Sequence, residues 1–147
     1  MSKQEEAGLI LKLYDLRREE VMRAARAWFF RDFQPQSTQE MMETAMGPHG
    51  AHMRMVPSYW EMAAALVNHG AIDLELFTAS SGEHIGVFAK IEPFLDELRV
   101  ALNAPEFLRS LEKLIDATPD GRKKCADFRE RQKAMAAMMA SRKAAAE

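Results

Sequence analysis

The chain has one cysteine, Cys125, in 147 residues, so it cannot staple itself with an internal disulfide, and the usage fits a reducing, cytoplasmic compartment. It also lacks any apolar run approaching the ~18 residues that would suggest a membrane span. Its opening residues, Met-Ser-Lys-Gln-Glu-Glu, are polar and carry no secretory pattern. Alternating apolar and polar residues, the mark of a half-buried strand, are missing at useful length, and there is no internal repeat. Enzyme signatures are missing too. No HExxH, CxxC, GxSxG, GxGxxG or Walker pattern occurs. The residues three before the four histidines (Met46, His49, Leu66 and Ser81) include no glutamate, which removes the Glu-x-x-His pattern of ferritin-like di-iron bundles. No catalytic residue, metal ligand set or cofactor is called for.

Helix punctuation is what the chain has in quantity. Ser37, Ser58 and Asn103 each stand three residues before a glutamate (Glu40, Glu61, Glu106), the spacing of a capping box. Between Glu5 and Phe30 the apolar positions Leu9, Leu13, Leu16, Val21, Ala24 and Trp28 form a helical stripe with one slip, and the cluster Trp28, Phe29, Phe30 and Phe33 ends it before Pro35. Further helices are expected from Thr38 to Met46, from Pro57 to a stop at Asn68-His69-Gly70, from Asp73 through Phe77, and from Glu83 onward with a kink near 90–92 set by Pro93. A helix opened by Asn103 and a last one after Thr118-Pro119-Asp120-Gly121, with Thr118 as cap, complete the set.

The expected fold is therefore all-α: one domain over residues 1–147, six or seven helices, a long N-terminal helix and an amphipathic C-terminal helix. A chain this long buries roughly two-thirds of its unfolded surface. Core candidates are Leu13, Leu16, Trp28, Trp60, Leu66, Phe77, Phe88, Phe94, Leu98, Phe107, Leu111 and Ile115.

Net charge is −2 but unevenly placed: residues 1–118 hold 12 Lys/Arg against 18 Asp/Glu, whereas residues 119–147 hold 8 against 4. A basic tail on an acidic body points to docking on the body, on a second copy or on an acidic partner. The tail carries Phe128, Gln132, Met135 and Met139 at helical spacing, so 119–147 reads as an assembly arm and the chain as a homodimer or the binder of a protein partner.

Four chemistries can be weighed against structural readings. Asp116, Thr118, Asp120, Gly121 and Asp127 fall on EF-hand positions, but Pro119, Arg122, Lys123 and Lys124 make a poor calcium loop. Met41, Met42, Met46, His49, His52, Met53 and Met55 could gather Cu(I), yet no thiolate is near and methionine also fills gaps and adaptable interfaces. Residues 58–79 could be drawn as a helix-turn-helix, but its second helix (Asp73-Leu74-Glu75-Leu76-Phe77) is acidic and would repel phosphate, so specific nucleic-acid binding is excluded. His84, in a first helical turn, is the one histidine to watch as an acid–base group.

The stretch Tyr59 to Arg99 resembles a bacterial family of uncharacterised all-helical domains, through Tyr59, Trp60, Glu61, Gly70, Ile72, Asp73, Phe77 and Pro93. The resemblance implies an all-helical fold and nothing about activity. Two readings remain. One is a non-catalytic cytoplasmic scaffold or protein-interaction module. The other is a ligand-binding or sensor module holding a small apolar molecule or soft metal between helices, lined by Trp28, Phe29, Met53, Met55, Tyr59 and Trp60.

Overall fold

A computed structural model describes residues 2–147. The elements are α1 (Lys3–Arg17), α2 (Glu20–Arg31), α3 (Thr38–Met46), α4 (Gly50–Asn68), α5 (Leu74–Ser80), α6 (Glu83–Ile91), a 3-10 turn (Glu92–Phe94), α7 (Leu95–Ala101), α8 (Arg109–Ala117) and α9 (Gly121–Ala146). There is no strand among the described residues, and the all-α expectation holds. The helices outnumber the six or seven expected because long periodic segments are broken.

The first break falls on the slip in the apolar stripe. Helix α1 starts at a capping box, Ser2 Oγ accepting from Glu5 N–H at 3.1 Å and Glu5 Oε2 from Ser2 N–H at 2.8 Å. It stops at Arg18, and Glu19, in extended backbone, caps α2 by accepting from the N–H groups of Val21 and Met22, both at 3.0 Å. The predicted single helix over 5–30 is thus two. Leu16 and Val21, on either side of the break, are both exposed, so Leu16 leaves the core list. The re-phased stripe of α2, Met22, Ala25 and Phe29, is buried against α4.

Other local expectations hold. Ser37 Oγ accepts from Glu40 N–H at 3.0 Å, Asp73 caps α5 through Leu76 N–H, and Gly70 ends α4 at φ +83°. Pro93 sits in the 3-10 turn that separates α6 from α7. Three predicted caps are corrected. Ser58 lies inside α4, which starts at Gly50 and runs through Pro57, and its hydroxyl donates to the carbonyls of Arg54 and Met55. Asn103 ends α7 instead of opening a helix: it sits at φ +51°, with Ala104 N–H donating back to Arg99 O at 2.9 Å. Thr118 is not the cap of α9 either, since its hydroxyl donates to Leu114 O and Asp120, at φ +57°, precedes the helix.

Glu61, freed from its predicted box, does something else. Its carboxylate accepts from Ser110 N–H at 3.1 Å and Leu111 N–H at 2.6 Å, and so caps α8 across the bundle. That helix has no side-chain cap of its own, because its entry residue is Leu108, at φ +56°, whose side chain has no acceptor. The remaining candidates Leu13, Trp60, Phe77, Phe88, Leu98, Leu111 and Ile115 are buried in one core, with Trp28, Leu66, Phe94 and Phe107 half-buried at its edge.

Helix α9 crosses α6 and α8 at close range. A Cβ on Gly121 would lie 1.9 Å from Ile115 O, and one on Gly86 2.8 Å from the Phe128 ring, so both approaches need glycine. Beyond Gln132 every residue of the chain is exposed.

Glu61→Ala removes an acceptor from two N–H groups and from the positive end of α8. Unfolding in urea should show a loss of about 1–2 kcal/mol, the scale of a lost helix cap. An unchanged midpoint would mean that water replaces the carboxylate.

Candidate functional site

A strongly apolar groove of about 600 Å³ lies between α3, the first half of α4, the end of α6, α7 and the 104–108 loop. Its wall residues follow from the helical periods. On α3, Met41 faces the core and Met42 stands beside it; on α4, Met53 and Pro57 come round one turn apart; Leu98 on α7 and Leu102, its C-cap, do the same. Ile91, Phe107 and Leu108 close the floor.

The frame is held by polar contacts behind these walls. Thr38 Oγ1 donates to Glu97 Oε2 at 2.6 Å and ties α3 to α7. Arg99 Nε donates to Phe107 O at 2.9 Å, and its Nη2 to Glu112 Oε1 at 3.0 Å, fixing the loop that carries Phe107. Partial burial pushes the Glu112 carboxyl up, but hydrogen bonds from Arg99 and Arg122 outweigh it and hold the group below its ordinary value. Of the polar lining, Arg54 Nη1 donates to Ala45 O at 3.3 Å, Ser58 to its own helix, Glu61 is committed to α8, and Glu106 stands exposed in the loop. Few polar groups are left to orient a polar substrate.

A second depression of about 860 Å³ lies over Glu20, Arg23, Arg26, Phe30 and Glu83. It is larger but wide and mixed in character, and Arg26 with Glu83 neutralise each other at 2.8 Å. The groove is the better-formed site.

The six residues read from sequence as a ligand lining are spread over several surroundings. Met53 lines the groove. Phe29 and Trp60 are fully buried in the core, and Met55 is half-buried against it. Trp28 stacks between Phe33 and His49, with ring centroids 5.1 and 5.0 Å away. Tyr59 donates its hydroxyl to Leu13 O, lies edge-on to Trp60, and has its pKa pushed up to about 12 by burial. The apolar groove residues that the sequence did not bring together are Ala45, Pro57, Ile91, Leu98, Leu102, Phe107 and Leu108. The i,i+4 pair Leu98–Leu102 was a visible signal, but nothing in it says which neighbours stand opposite.

Other candidates resolve into structure. His84 is wholly buried between Phe77 and Trp60, with ring centroids 4.9 and 5.7 Å away, and neither ring nitrogen has a hydrogen-bond partner. Burial, aided by the charge of Lys124, lowers its pKa from 6.5 to about 4, so it stays neutral and out of reach of any substrate. Burial likewise raises the Cys125 thiol to about 11, far from a reactive thiolate. Asp116, first residue of the calcium-like loop, accepts from Arg122 at 2.7 and 3.1 Å.

The family described as Domain of unknown function (DUF4760) matches residues 4–118, and the chain belongs to that family. No curated protein and no solved structure matches. The matched stretch contains every groove residue and ends before α9.

The buried imidazole makes stability depend on pH. Its folded pKa, about 4, lies below the ordinary 6.5, so between those values the unfolded chain binds a proton that the native state refuses. This contribution to stability is present above the ordinary pKa and is lost as pH falls through the folded one, by up to about 1.4 kcal/mol per pH unit. Urea denaturation across this window should show the slope in the natural chain and a shallower one in His84→Leu, with no loss at neutral pH because the orphaned nitrogens are gone. Equal slopes in the two proteins would assign the dependence elsewhere.

Proposed function

We propose that this DUF4760 member is a non-catalytic cytoplasmic interaction module whose working surface is the methionine-lined groove, and that the groove takes an apolar segment of a protein. The observation that carries this reading is the lining: about 600 Å³ of space walled by Met41, Met42, Met53, Pro57, Ile91, Leu98, Leu102, Phe107 and Leu108. Such a trough suits an amphipathic helix laid in with apolar residues at i and i+4, as helix-in-groove recognition works generally. Methionine supports it further, because an unbranched, polarisable side chain adapts to the shape it meets. The engaged state of Arg54, Ser58 and Glu61 argues against a polar substrate, and the buried His84 and Cys125 against acid–base or thiol chemistry at a cleft. The cytoplasmic assignment rests on the single, buried, unpaired cysteine. No helix among the described residues is long and apolar enough to cross a membrane.

The cavity's size favours a second reading, since small-molecule sites run to ~300–1,000 Å³ and a single apolar ligand would fit. Native mass spectrometry after gentle purification separates the two: a retained small mass supports the ligand reading.

For the groove itself, a neutral fluorescent probe such as N-phenyl-1-naphthylamine, titrated into dilute protein, should brighten on binding. Leu102→Gln places an amide at the exposed lip of the groove and should weaken binding at least about 10-fold, the effect of ~1.4 kcal/mol. Its midpoint of unfolding should stay within about 0.5 kcal/mol of the natural chain, as for other surface changes. Probe binding that ignores Leu102→Gln would remove the groove as the apolar site.

A further inference from the structure

Resting on the groove reading, we propose that its occupant is the end of α9 from a second copy of the chain, so that two copies exchange their C-terminal helices and form a closed dimer. The first observation is the overhang. Helix α9 is pinned by Arg122, Cys125, Phe128 and Arg129, and beyond Gln132 nothing covers it. Met135, Met138 and Met139 stand 60%, 58% and 66% exposed. A stretch of Lys133–Glu147 projects roughly 22 Å at ~1.5 Å per residue. An isolated helix of that length is marginal in water, and its methionine stripe is an apolar surface without a partner.

The second observation is that the overhang cannot reach the groove of its own chain. After Gly121 the sequence contains neither glycine nor proline, so α9 has no place to turn back. It packs on α6 and α8, while the groove is walled mainly by α3, α4 and α7, and no α9 residue borders it. Only another molecule can present the stripe.

The third is complementarity. Glu106 lines the groove, and the helices that wall it also carry Glu40 and Glu43 on α3 and Asp96 and Glu97 on α7, outside the lining itself. Helix α3 has no Lys or Arg, Arg99 and Arg109 are paired with Glu112, and Arg54, hydrogen-bonded to Ala45 O, is the cation in the lining itself. The overhang brings Lys133, Arg142 and Lys143 against a single acid, Glu147. On the helix, Arg131 and Lys143 continue the i,i+4 row of Met135 and Met139 at its two ends, with Arg142 on the same face, so basic ends would meet acids near the groove as methionine meets methionine. Because each copy owns one groove and one overhang, reciprocal exchange uses both and closes with two-fold symmetry.

The test keeps the full chain. Light scattering should give a mass of two chains at high micromolar concentration. Met135→Ser/Met139→Ser changes only exposed side chains and should raise the dimer dissociation constant at least about 10-fold, and Leu102→Gln should do the same. At dimerising concentrations the serine variant should also bind more naphthylamine probe than the natural chain, its groove being vacant. Leu102→Cys/Met139→Cys should yield a disulfide-linked dimer on mild oxidation that neither single cysteine gives. Linkage by Met139→Cys alone would show tails pairing with tails and overturn the exchange. A monomer at high micromolar concentration whose probe binding still responds to Leu102→Gln would overturn the occupant and leave the groove reading intact. A dimer indifferent to Leu102→Gln would place the interface elsewhere and end the proposal.

Discussion

The carboxylate of Glu61 against the first turn of α8 is the contact on which the groove-bearing half of the molecule rests. Helix α8 enters through Leu108 in the left-handed region, a conformation that costs a branched residue roughly 1–2 kcal/mol and supplies no capping side chain. Two early N–H groups therefore need an acceptor from elsewhere, and α4 provides it at 3.1 and 2.6 Å. Asn68, two turns further along α4, donates to Ser110 O at 2.9 Å and fixes the same end of α8 from the other side. With α8 seated, Leu108 is buried and the loop from Asn103 has a fixed end point. Arg99 then holds Phe107 O and Glu112 together, and the groove acquires a floor. The site is thus a by-product of how one helix end is satisfied.

Two buried bases show how differently the core treats a polar group. Lys90 sends its ammonium to the carbonyls of Phe29 and Phe33, the former at 3.0 Å, over the faces of Phe29, Phe30 and Phe33. The Phe29 carbonyl lies in the last turn of α2 and that of Phe33 just beyond it, where the helix dipole favours a cation, so the charge is tolerated even though burial lowers its pKa to about 8. His84 has no such partner and is accommodated only as a neutral ring among aromatics. Both sit away from the groove lining, which leaves the core rigid and the methionine walls as the adaptable part.

Local signals in the sequence carried the fold a long way. Ser37, Gly70, Asp73 and Pro93 each act within three or four residues of themselves, and each does what its type and spacing imply. Even the break between α1 and α2 was visible as the five-residue step from Leu16 to Val21, although it read as a slip instead of a helix end. Ser58 and Asn103 misled because a cap-like spacing is also compatible with a hydroxyl bonding back along its own helix, or with an asparagine in the left-handed position after one. Glu61 was conspicuous, but its partners lie 49 and 50 residues away and no local rule reaches them. The groove was illegible for the same reason: it draws on several elements, and only Met53 of the six aromatic and methionine residues proposed for a lining belongs to it.

The uneven charge of the chain finds its explanation in α9, which does two jobs along one helix. Its first turns form a clamp. Arg122 reaches Glu92 at 2.6 Å, Asp116 at 2.7 Å and Glu112 at 3.2 Å, with its guanidinium over the Phe88 ring, and Arg129 reaches Glu92 at 2.7 Å. These arginines neutralise acids of the body, so much of the tail's excess charge is already matched within the chain. Exposed pairs are worth little singly, but a shared network around Glu92 and Glu112, backed by Gly86 and Gly121 at close approach, fixes the direction in which the helix leaves. Because the backbone then continues without a breaker, whatever aims the clamp also aims the overhang. Its alanines favour the helix while methionine and basic side chains mark its faces, so the same residues that make it stiff also leave it in need of a surface.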